Sequence, residues 1–297
     1  MTDDPSSPEN APRARPVAIA PGLHLIATPI GAARDVTLRA LDLLAGCDVL
    51  VAEDTRSLRH LMELHGLRPG TRPLLAYHDH NGARMRPRLL AALTEGKSVL
   101  YASEAGTPLV ADPGYQLARM AIEADLQVHA APGPSAMLAA LTVSGLPSDR
   151  FCFLGFAPAS AGARRKFLQE AAEIPATLIF YESPKRVSRM LGELCEVLGG
   201  EREAALCREL TKKHEEVIRM PLAELASTVS DRTLRGEIVL VVGRGEKRVA
   251  GPEALDQALD AALAEMRLKD AVAHVAQALD LPRRQVYQAA LKKEKSQ

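Results

Sequence analysis

Aromatic residues are scarce in this sequence: it contains no tryptophan, and aromatic side chains make up 3% of its 297 residues. It also lacks any apolar run close to the roughly 20 residues that a membrane-spanning helix needs. Residues 1–16 are polar and proline-rich, unlike a signal peptide. The four cysteines form no CxxC pair. We therefore expect a cytoplasmic protein with buried free thiols and no membrane partner.

The zero net charge leaves a nucleic-acid partner open, and the absence of three common motifs argues against further classes of site. Lysine plus arginine and aspartate plus glutamate number 37 each, so only local charge can indicate a nucleic-acid partner. The sequence has no GxGxxG, GxxxxGK[ST] or HExxH motif, which argues against Rossmann, Walker and zincin sites. In a strand, His78 and His80 would share one face and Asp79 would take the other. Since these three side chains would not converge on one ion, we expect no metal site at residues 78–80.

Apolar runs and amphipathic stretches alternate from Leu23 onwards. Up to about residue 133, helical segments separate the strands, which predicts βαβ units and a parallel sheet. Beyond residue 147 the strands lie closer together, and only the short polar stretch 211–214 separates two of them, which is hairpin spacing in a mixed sheet. The predicted organisation is a disordered tail over 1–20, an α/β domain with a mainly parallel sheet over 21–133, and an α/β domain with a mixed sheet over 134–248.

The last segment, 252–297, is predicted to be helical with a helix-turn-helix-like pattern. From Arg267 to the C-terminus it carries seven lysine and arginine residues and three acids. Arg283 and Arg284 directly follow the proline of the turn. Such a segment is typical of an RNA contact, although a solvated helical cap with ordinary surface lysines would have the same composition.

Five predicted strand ends carry more polar residues than turns require: TPIG (28–31), AEDTR (52–56), HDHN (78–81), SEAGTP (103–108) and APGPSA (131–136). Ligands of parallel sheets bind beyond the carboxyl ends of the strands. In the fourth of these loops Gly106 lets backbone approach a ligand, and Pro108 lowers the entropy lost on ordering. Exposed backbone groups there suit S-adenosylmethionine, although they do not require it.

Nine motifs in register carry a resemblance to a known family: TPIG, AEDTR, HDHN, SEAGTPLVADPG, PGPSA, GLPSDRFCFLGF, FYESPKR, CRELTKKHEE and RGEIVLVV. With them the chain resembles the tetrapyrrole-methylase superfamily and, within it, the bacterial small-subunit ribosomal RNA (cytidine-2′-O)-methyltransferases. The resemblance covers about Leu23 to Gly243 plus the helical segment. Two positions depart from the family pattern: Glu104 replaces the usual aspartate, and Ala32-Ala33 replaces the usual Asn-Leu.

The resemblance implies S-adenosylmethionine in a cleft between the two α/β domains, and a homodimer. It implies 2′-O-methylation of a cytidine in the decoding region of 16S rRNA, with the rRNA or the assembled 30S subunit as partner. The expected cofactor-binding residues are Pro29, Ser103, Glu104, Ala105, Gly106, Thr107, Pro108, Asp112, Pro134, Ser135, Ala136, Tyr181, Gly236, Glu237 and Ile238.

A 2′-hydroxyl is a weak acid, so its proton needs an acceptor or very good positioning. The candidate catalytic groups are Glu53, Asp54, His78 and Glu182. Each has a structural alternative: Asp54 can cap the following helix, His78 can pack at a strand end, and Glu182 can hydrogen-bond the turn that follows it. Positioning without any base would also suffice.

The predicted RNA contacts are basic residues near the cleft and in the helical segment: Arg56, Lys185, Arg186, Lys212, Lys213, Arg283 and Arg284. Intramolecular ion pairing is the alternative for each. Two other functions stay open, namely methylation of a porphyrinoid or other small molecule on the same fold, and a non-catalytic RNA-binding assembly factor. The cationic turns argue against a small-molecule acceptor, and the many polar residues at strand ends argue against a non-catalytic factor.

Overall fold

Two five-stranded sheets organise the chain up to Gly243. The computed structural model describes residues 18–245, 252–279 and 281–294. The tail predicted over 1–20 therefore lies outside the described residues up to residue 17. From Arg244 onwards the chain forms a second compact unit, and the two units are described separately.

The first sheet is parallel throughout, as predicted, with the order β3-β2-β4-β1-β5. Buried strands of parallel sheets are continuous apolar runs, and β1, β2 and β4 are buried at every position. The strands are β1 (Gly22–Ile26), β2 (Val49–Ala52), β3 (Leu74–Ala76), β4 (Ser98–Ala102) and β5 (Val128–Ala131). The helices are α1 (Leu38–Gly46), α2 (Thr55–Leu64), α3 (Gly82–Thr94) and α4 (Tyr115–Glu123), with a 3-10 turn at Ala33–Asp35.

The strand expected to continue into HDHN ends early, at Ala76. Asn81 closes a turn there: its Oδ1 accepts from the His78 backbone N–H at 2.9 Å, and its amide donates to the Ala76 carbonyl at 3.0 Å. Asn side chains favour such turns because they replace backbone partners. The expectation that His78 and His80 share a strand face is therefore wrong. Among the described residues, no group of three or more His, Cys, Asp or Glu side chains is arranged to hold a metal ion.

The second sheet is mixed, as predicted, with the order β6-β7-β10-β8-β9. The β6–β7 pair is parallel, whereas β10 runs antiparallel to both β7 and β8. The predicted hairpin is formed by β8 and β9. The strands are β6 (Phe151–Phe156), β7 (Thr177–Glu182), β8 (Glu203–Arg208), β9 (Glu216–Pro221) and β10 (Ile238–Val242). The helices are α5 (Ala136–Ser144), α6 (Ala161–Ala172), α7 (Val187–Leu198) and α8 (Leu222–Ser230).

Helix α5 follows the first sheet in sequence but packs on the second. Ala140 and Leu141 join a buried cluster with Ile179, Ala205 and Val241 of the second sheet. The boundary predicted near residue 133 falls in the connection between β5 and α5. This connection lies beside the carboxyl ends of the first sheet's strands, which positions the start of α5 at the site described below.

The second unit is helical, as predicted for its described residues, with α9 (Pro252–Glu265), α10 (Leu268–Ala278) and α11 (Arg283–Glu294). Leu259, Val275 and Val286 are the centre of its small apolar core. Arg283 and Arg284 are exposed at the start of α11. No helix in the described ranges is long and apolar enough to span a bilayer.

Candidate active site

A cleft of about 690 Å³ lies where the strand-end loops of the two sheets meet. Most of the predicted cofactor-binding residues line it. They are Pro29, Glu104, Ala105, Gly106, Thr107, Asp112, Ser135, Ala136, Tyr181, Gly236, Glu237 and Ile238. The lining does not include Ser103, Pro108 or Pro134; Ser103 and Pro134 instead make hydrogen bonds that hold the loop after β4.

The loop after β4 forms one wall, and hydrogen bonds fix its shape. Thr28 and Gly106 exchange two backbone hydrogen bonds of 3.0 Å, which ties this loop to the end of β1. Ser103 Oγ donates to the Gly106 carbonyl at 2.7 Å, and Thr107 Oγ1 donates to the Pro134 carbonyl at 2.9 Å. Gly106 has a φ of +79°, a conformation that glycine adopts without steric cost.

The far end of the same loop holds Asp112 against the sheet. Its Oδ1 accepts from Tyr101 Oη and from the Gly114 backbone N–H, each at 2.7 Å. Its Oδ2 is buried and has no hydrogen-bond partner among the described residues. Leu109 and Ala111 nearby have φ values of 68° and 55°. Such strain in non-glycine residues persists only where the surroundings hold it, often at functional sites.

Glu53, at the end of β2, faces this acidic loop. Burial raises the pKa of its carboxyl, and the negative charges of Asp112 and Glu104 raise it further, against the opposing effect of a hydrogen bond from the Glu104 backbone. A carboxylate with a raised pKa binds a proton more readily near neutral pH. Glu53 lines the cleft, so this proton affinity is available to a bound molecule.

The second wall begins at the N-terminus of α5. Ser135 is the N-cap residue, yet its hydroxyl makes no capping hydrogen bond. The Ser135 Oγ is buried and has no hydrogen-bond partner among the described residues, although the residue lines the cleft. Together with the unpaired N–H groups of the first helical turn, this hydroxyl forms a polar end suited to a carboxylate.

Lys212 closes the same wall by bridging two acids. Its Nζ lies 2.8 Å from Glu209 Oε1 and 2.8 Å from Glu237 Oε2. Partial burial opposes its charge, but the hydrogen bonds to Glu209 and Glu237 raise the pKa of Lys212. Thr211, the residue before Lys212, accepts a hydrogen bond from the Ala32 backbone N–H through its Oγ1 at 3.1 Å. Lys212 therefore stabilises a loop that also contacts the first sheet's side of the cleft.

Of the candidate catalytic groups, Glu53 and Glu182 line the cleft, and Asp54 and His78 are outside its lining. Asp54 caps α2 through Arg56, and hydrogen bonds from the Arg56 side chain and backbone lower the pKa of Asp54 to about 2. Glu182 is buried, and its Oε1 accepts from the Ser183 N–H at 2.7 Å. Its Oε2 lies 3.3 Å from Arg186 Nη2.

The predicted RNA-contacting cations fall into two groups. Arg56, Arg186 and Lys212 are engaged within the protein, with Asp54, Glu182 and the Glu209–Glu237 pair respectively. Lys185 and Lys213 are exposed, and no ion pair with a described residue is seen for either. Only Lys212 of these five lines the cleft.

Sequence reasoning missed several cleft residues. They are Ile30, Gly31, Ser57, Val110, Ala111, Phe156, Ser183, Pro184 and Val239. Ser183 and Pro184 follow β7, so the search for polar strand ends would have found them had it been extended to the second sheet. Phe156 ends β6 but is apolar, so a search for polar groups passes over it.

Comparison with known families matches two segments of the chain. Residues 22–226 match the family described as Tetrapyrrole (Corrin/Porphyrin) Methylases. Residues 249–294 match the RsmI C-terminal HTH domain. The first match covers the two-sheet unit except its last part, which includes β10, and the second covers the helical segment.

Curated relatives are similar over most of their length. Ribosomal RNA small subunit methyltransferase I of Mesorhizobium japonicum is 48% identical over 264 residues, covering 89% of this chain and 88% of that protein. The protein of the same name from Vibrio cholerae is 40% identical over 297 residues, covering 98% of each chain. That of Mycobacterium tuberculosis is 44% identical, covering 91% of this chain and 94% of its own.

Solved structures share the fold at low identity. The methyltransferase CobJ has a TM-score of 0.57 at 21% identity, covering 76% of this chain and 95% of that one. Uroporphyrin-III C-methyl transferase from Thermus thermophilus, complexed with S-adenyl homocysteine, has a TM-score of 0.53 at 19% identity, covering 75% and 97%. These likenesses confirm the predicted fold class.

Proposed function

Since this chain belongs to the tetrapyrrole methylase family and, within it, to the ribosomal RNA small subunit methyltransferase I group, we propose that it methylates small-subunit rRNA with S-adenosylmethionine. In finer detail, the acceptor is the ribose 2′-oxygen of a cytidine in the decoding region of 16S rRNA. This proposal rests on the match to relatives of that name, which are 40–48% identical to this chain across both the two-sheet unit and the helical segment.

The residues of the cleft fit S-adenosylmethionine. The unpartnered Ser135 Oγ and Asp112 Oδ2 are buried polar atoms, and each needs a hydrogen-bond partner that a ligand would supply. The start of α5 suits the methionine carboxylate. The loop at Gly106 offers backbone groups to the adenosine portion, and Asp112 and Glu104 offer oxygens to hydroxyls. When bound, S-adenosylmethionine supplies an electrophilic methyl group on its sulfonium.

We assign the proton acceptor to Glu53. It lines the cleft and its pKa is raised, whereas Asp54 is outside the lining and its lowered pKa makes it a weak base. The Glu182 side chain is fully buried and lies 3.3 Å from Arg186 Nη2, so we assign it to orienting the turn that follows β7. Glu53 accepts the 2′-hydroxyl proton as the oxygen gains its methyl group, which is worth roughly 10²- to 10⁴-fold in rate.

Basic residues outside the lining are assigned to the RNA. Lys185 and Lys213 are exposed on turns beside the cleft, where they neutralise phosphates. Arg283 and Arg284 at the start of α11 do the same from the helical unit, which the family match describes as a helix-turn-helix domain. Arg56 keeps Asp54 as its partner, Arg186 keeps Glu182 and the carbonyls of Ala157 and Pro158, and both contribute their remaining N–H donors.

The partner is small-subunit rRNA, as the free molecule or in the 30S subunit, and the place of action is the cytoplasm, where ribosomal subunits assemble. A homodimer is proposed from the family resemblance alone. Sedimentation equilibrium of the purified chain tests it, and a mass of one chain at micromolar concentration would contradict it.

Turnover on three acceptors tests the function. Labelled methyl transfer from S-adenosylmethionine is measured with 30S subunits lacking their native methylation, with naked 16S rRNA and with a uroporphyrinogen. We expect transfer to a ribosomal acceptor and none to the porphyrinoid. Transfer to the porphyrinoid alone would favour the small-molecule alternative. Cofactor binding without any transfer would favour the assembly factor.

A further inference from the structure

Three of the chain's few aromatic residues pack together beside the cleft. Phe153 and Phe156 contact Tyr181 edge-on, with ring centroids 4.8 Å and 5.6 Å apart. Phe156 and Tyr181 line the cleft. Phe156 is nevertheless 56% exposed, although burying a phenylalanine side chain is favourable by about 1.5–3 kcal/mol. An aromatic ring left open at the lip of a cleft is available to a ligand.

A β-bulge in β6 produces this arrangement. Phe153 pairs with Ile179, but the next paired residues are Gly155 with Phe180, so Leu154 is the extra residue. Side chains alternate along a regular strand, so residues three apart such as Phe153 and Phe156 would face opposite sides if β6 lacked the bulge. With it, both rings contact Tyr181 from the same face. Bulges beside active sites commonly re-aim a side chain in this way.

Gly155 permits the bulge. Its φ is +64°, and a Cβ built there would meet no atom within 4 Å. The glycine is therefore required by the backbone conformation rather than by crowding.

Phe156 is the member of the cluster that is open to a ligand. Tyr181 has a hydrogen bond to the Met137 backbone, and burial raises the pKa of its phenol. Phe153 packs against the buried cluster beneath α5. Tyr181 therefore holds Phe156 in place, and Phe153 packs against Tyr181.

The turn after β7 carries basic residues and is hydrogen-bonded to the chain directly after Phe156. Arg186 Nη2 donates to the carbonyl of Ala157, the residue after Phe156, at 2.6 Å. Lys185 is exposed in the same turn, and Ser183 and Pro184 of that turn line the cleft. An open aromatic ring with basic residues in the neighbouring turn matches the chemistry of single-stranded RNA, in which bases stack on rings and phosphates contact basic side chains.

We propose that Phe156 is a stacking platform for a base of the RNA segment bound at the cleft, and that the bulge at residues 154–155 sets its orientation. This inference rests on the proposed rRNA methyltransferase function. The adenine of the cofactor is a second source of the same chemistry. The RNA base is favoured because Phe156 is exposed, whereas the unpartnered polar atoms that suit the cofactor, Asp112 Oδ2 and Ser135 Oγ, are buried.

The test compares four variants in methyl transfer to 30S subunits that lack the native methylation. Phe156→Ala should lower kcat/KM for subunits about 5- to 150-fold, mainly through KM. Phe156→Leu keeps apolar bulk without a ring and should remain impaired, whereas Phe156→Tyr should stay within about threefold of wild type. Phe151→Ala is the matched control, because Phe151 is 41% exposed on the same strand and is not part of the cleft lining; its kinetics should be unchanged.

A direct contact measurement accompanies the kinetics. Replacement of Phe156 by p-azidophenylalanine should give a light-dependent crosslink to rRNA that stops reverse transcription near the methylated nucleotide. The same replacement at Phe151 should give no such crosslink. Calorimetric titration with S-adenosylhomocysteine should give the wild-type affinity for Phe156→Ala, and melting temperatures confirm that each variant folds.

The outcomes separate the inference from its premise. A wild-type enzyme that transfers no methyl to ribosomal acceptors contradicts the proposed function itself. An active wild type with normal kinetics in Phe156→Ala and no crosslink at position 156 overturns only the stacking platform. Weaker S-adenosylhomocysteine binding in Phe156→Ala with an unchanged KM for subunits overturns the RNA assignment in favour of the adenine.

Discussion

Replacing Lys212 by methionine removes the ammonium that bridges two acids while keeping the length of the side chain. In the wild type, the Nζ atom lies 2.8 Å from both Glu209 Oε1 and Glu237 Oε2. Glu209 Oε1 also accepts from the Glu237 backbone N–H at 3.0 Å. The variant leaves two carboxylates close together without a counter-charge, on a loop whose Glu209 has a φ of 52°.

The magnitude follows from how buried each partner is. An exposed ion pair contributes about 0–1 kcal/mol, and breaking a buried one costs about 3–5 kcal/mol. The Glu209 side chain is 19% exposed and that of Glu237 is 72% exposed, so a loss of about 1–3 kcal/mol is expected. For a chain of this size that is a fall in Tm of about 2–10 °C.

The loss should depend on pH. The hydrogen bond from Lys212 lowers the pKa of Glu209 below its ordinary value of 4.5. A lowered folded-state pKa contributes stability above 4.5 that is lost as the pH falls through the folded-state value. The difference in Tm between wild type and Lys212→Met should therefore be present at pH 7 and shrink in acid.

Lys213→Met is the control, because Lys213 is exposed beside Lys212. Melting curves and calorimetric titration with S-adenosylhomocysteine should show lower stability and weaker binding for Lys212→Met alone, since Lys212 and Glu237 line the cleft. Lys213→Met should raise only the KM for ribosomal substrate. Equal Tm values and cofactor affinities for the two variants would refute the structural role of Lys212.

Three further changes test the site. Glu53→Gln should reduce kcat roughly 10²- to 10⁴-fold. Because the pKa of Glu53 is raised, its ionised form opposes folding. The variant should therefore be more stable than wild type at pH 7 and equal to it in stability below about pH 4, where the carboxyl is protonated in both the folded and the unfolded chain. A Glu53→Gln enzyme with normal kcat would remove Glu53 as the base. Gly106→Val should abolish cofactor binding in calorimetry. A Cβ at this position fits, because its nearest atoms are Ile30 Cγ2 at 3.4 Å and the Pro134 carbonyl oxygen at 3.8 Å, but a side chain in the left-handed conformation costs about 1–2 kcal/mol, and we expect the methyl groups of valine to occupy cofactor space because Gly106 lines the cleft. Near-normal affinity would show that this loop is not the cofactor wall. Deleting residues 252–297 should weaken binding to rRNA in filter assays more than binding of S-adenosylhomocysteine, and the opposite pattern would make the helical unit a support for the fold.

The parallel first sheet was predictable because its strands are short aliphatic runs separated by amphipathic segments, and both patterns are local. The Asp54 cap of α2 was also predictable, because it follows from an acid placed directly before a helix. The hairpin of β8 and β9 was predictable from the short polar connection between them. In each case neighbouring residues in sequence determine the structure.

The features that sequence did not reveal depend on residues far apart in the chain. The insertion of β10 between β7 and β8 is set by tertiary pairing. The bulge in β6 places Phe156 on the same face of the strand as Phe153, whereas the alternation of side chains along a regular strand predicts the opposite face for it. The Lys212 bridge joins residues 25 positions apart, and composition gives no means to distinguish it from the exposed Lys213.

The most direct measurement of the central claim identifies the product. Small ribosomal subunits lacking their native methylation are incubated with the enzyme and isotopically labelled S-adenosylmethionine, and the rRNA is digested to nucleosides for mass spectrometry. We expect labelled 2′-O-methylcytidine at a stoichiometric yield, and its loss in the Glu53→Gln variant. Label on a base rather than on a ribose, or none on the RNA while S-adenosylhomocysteine still binds in a parallel titration, would contradict the assignment.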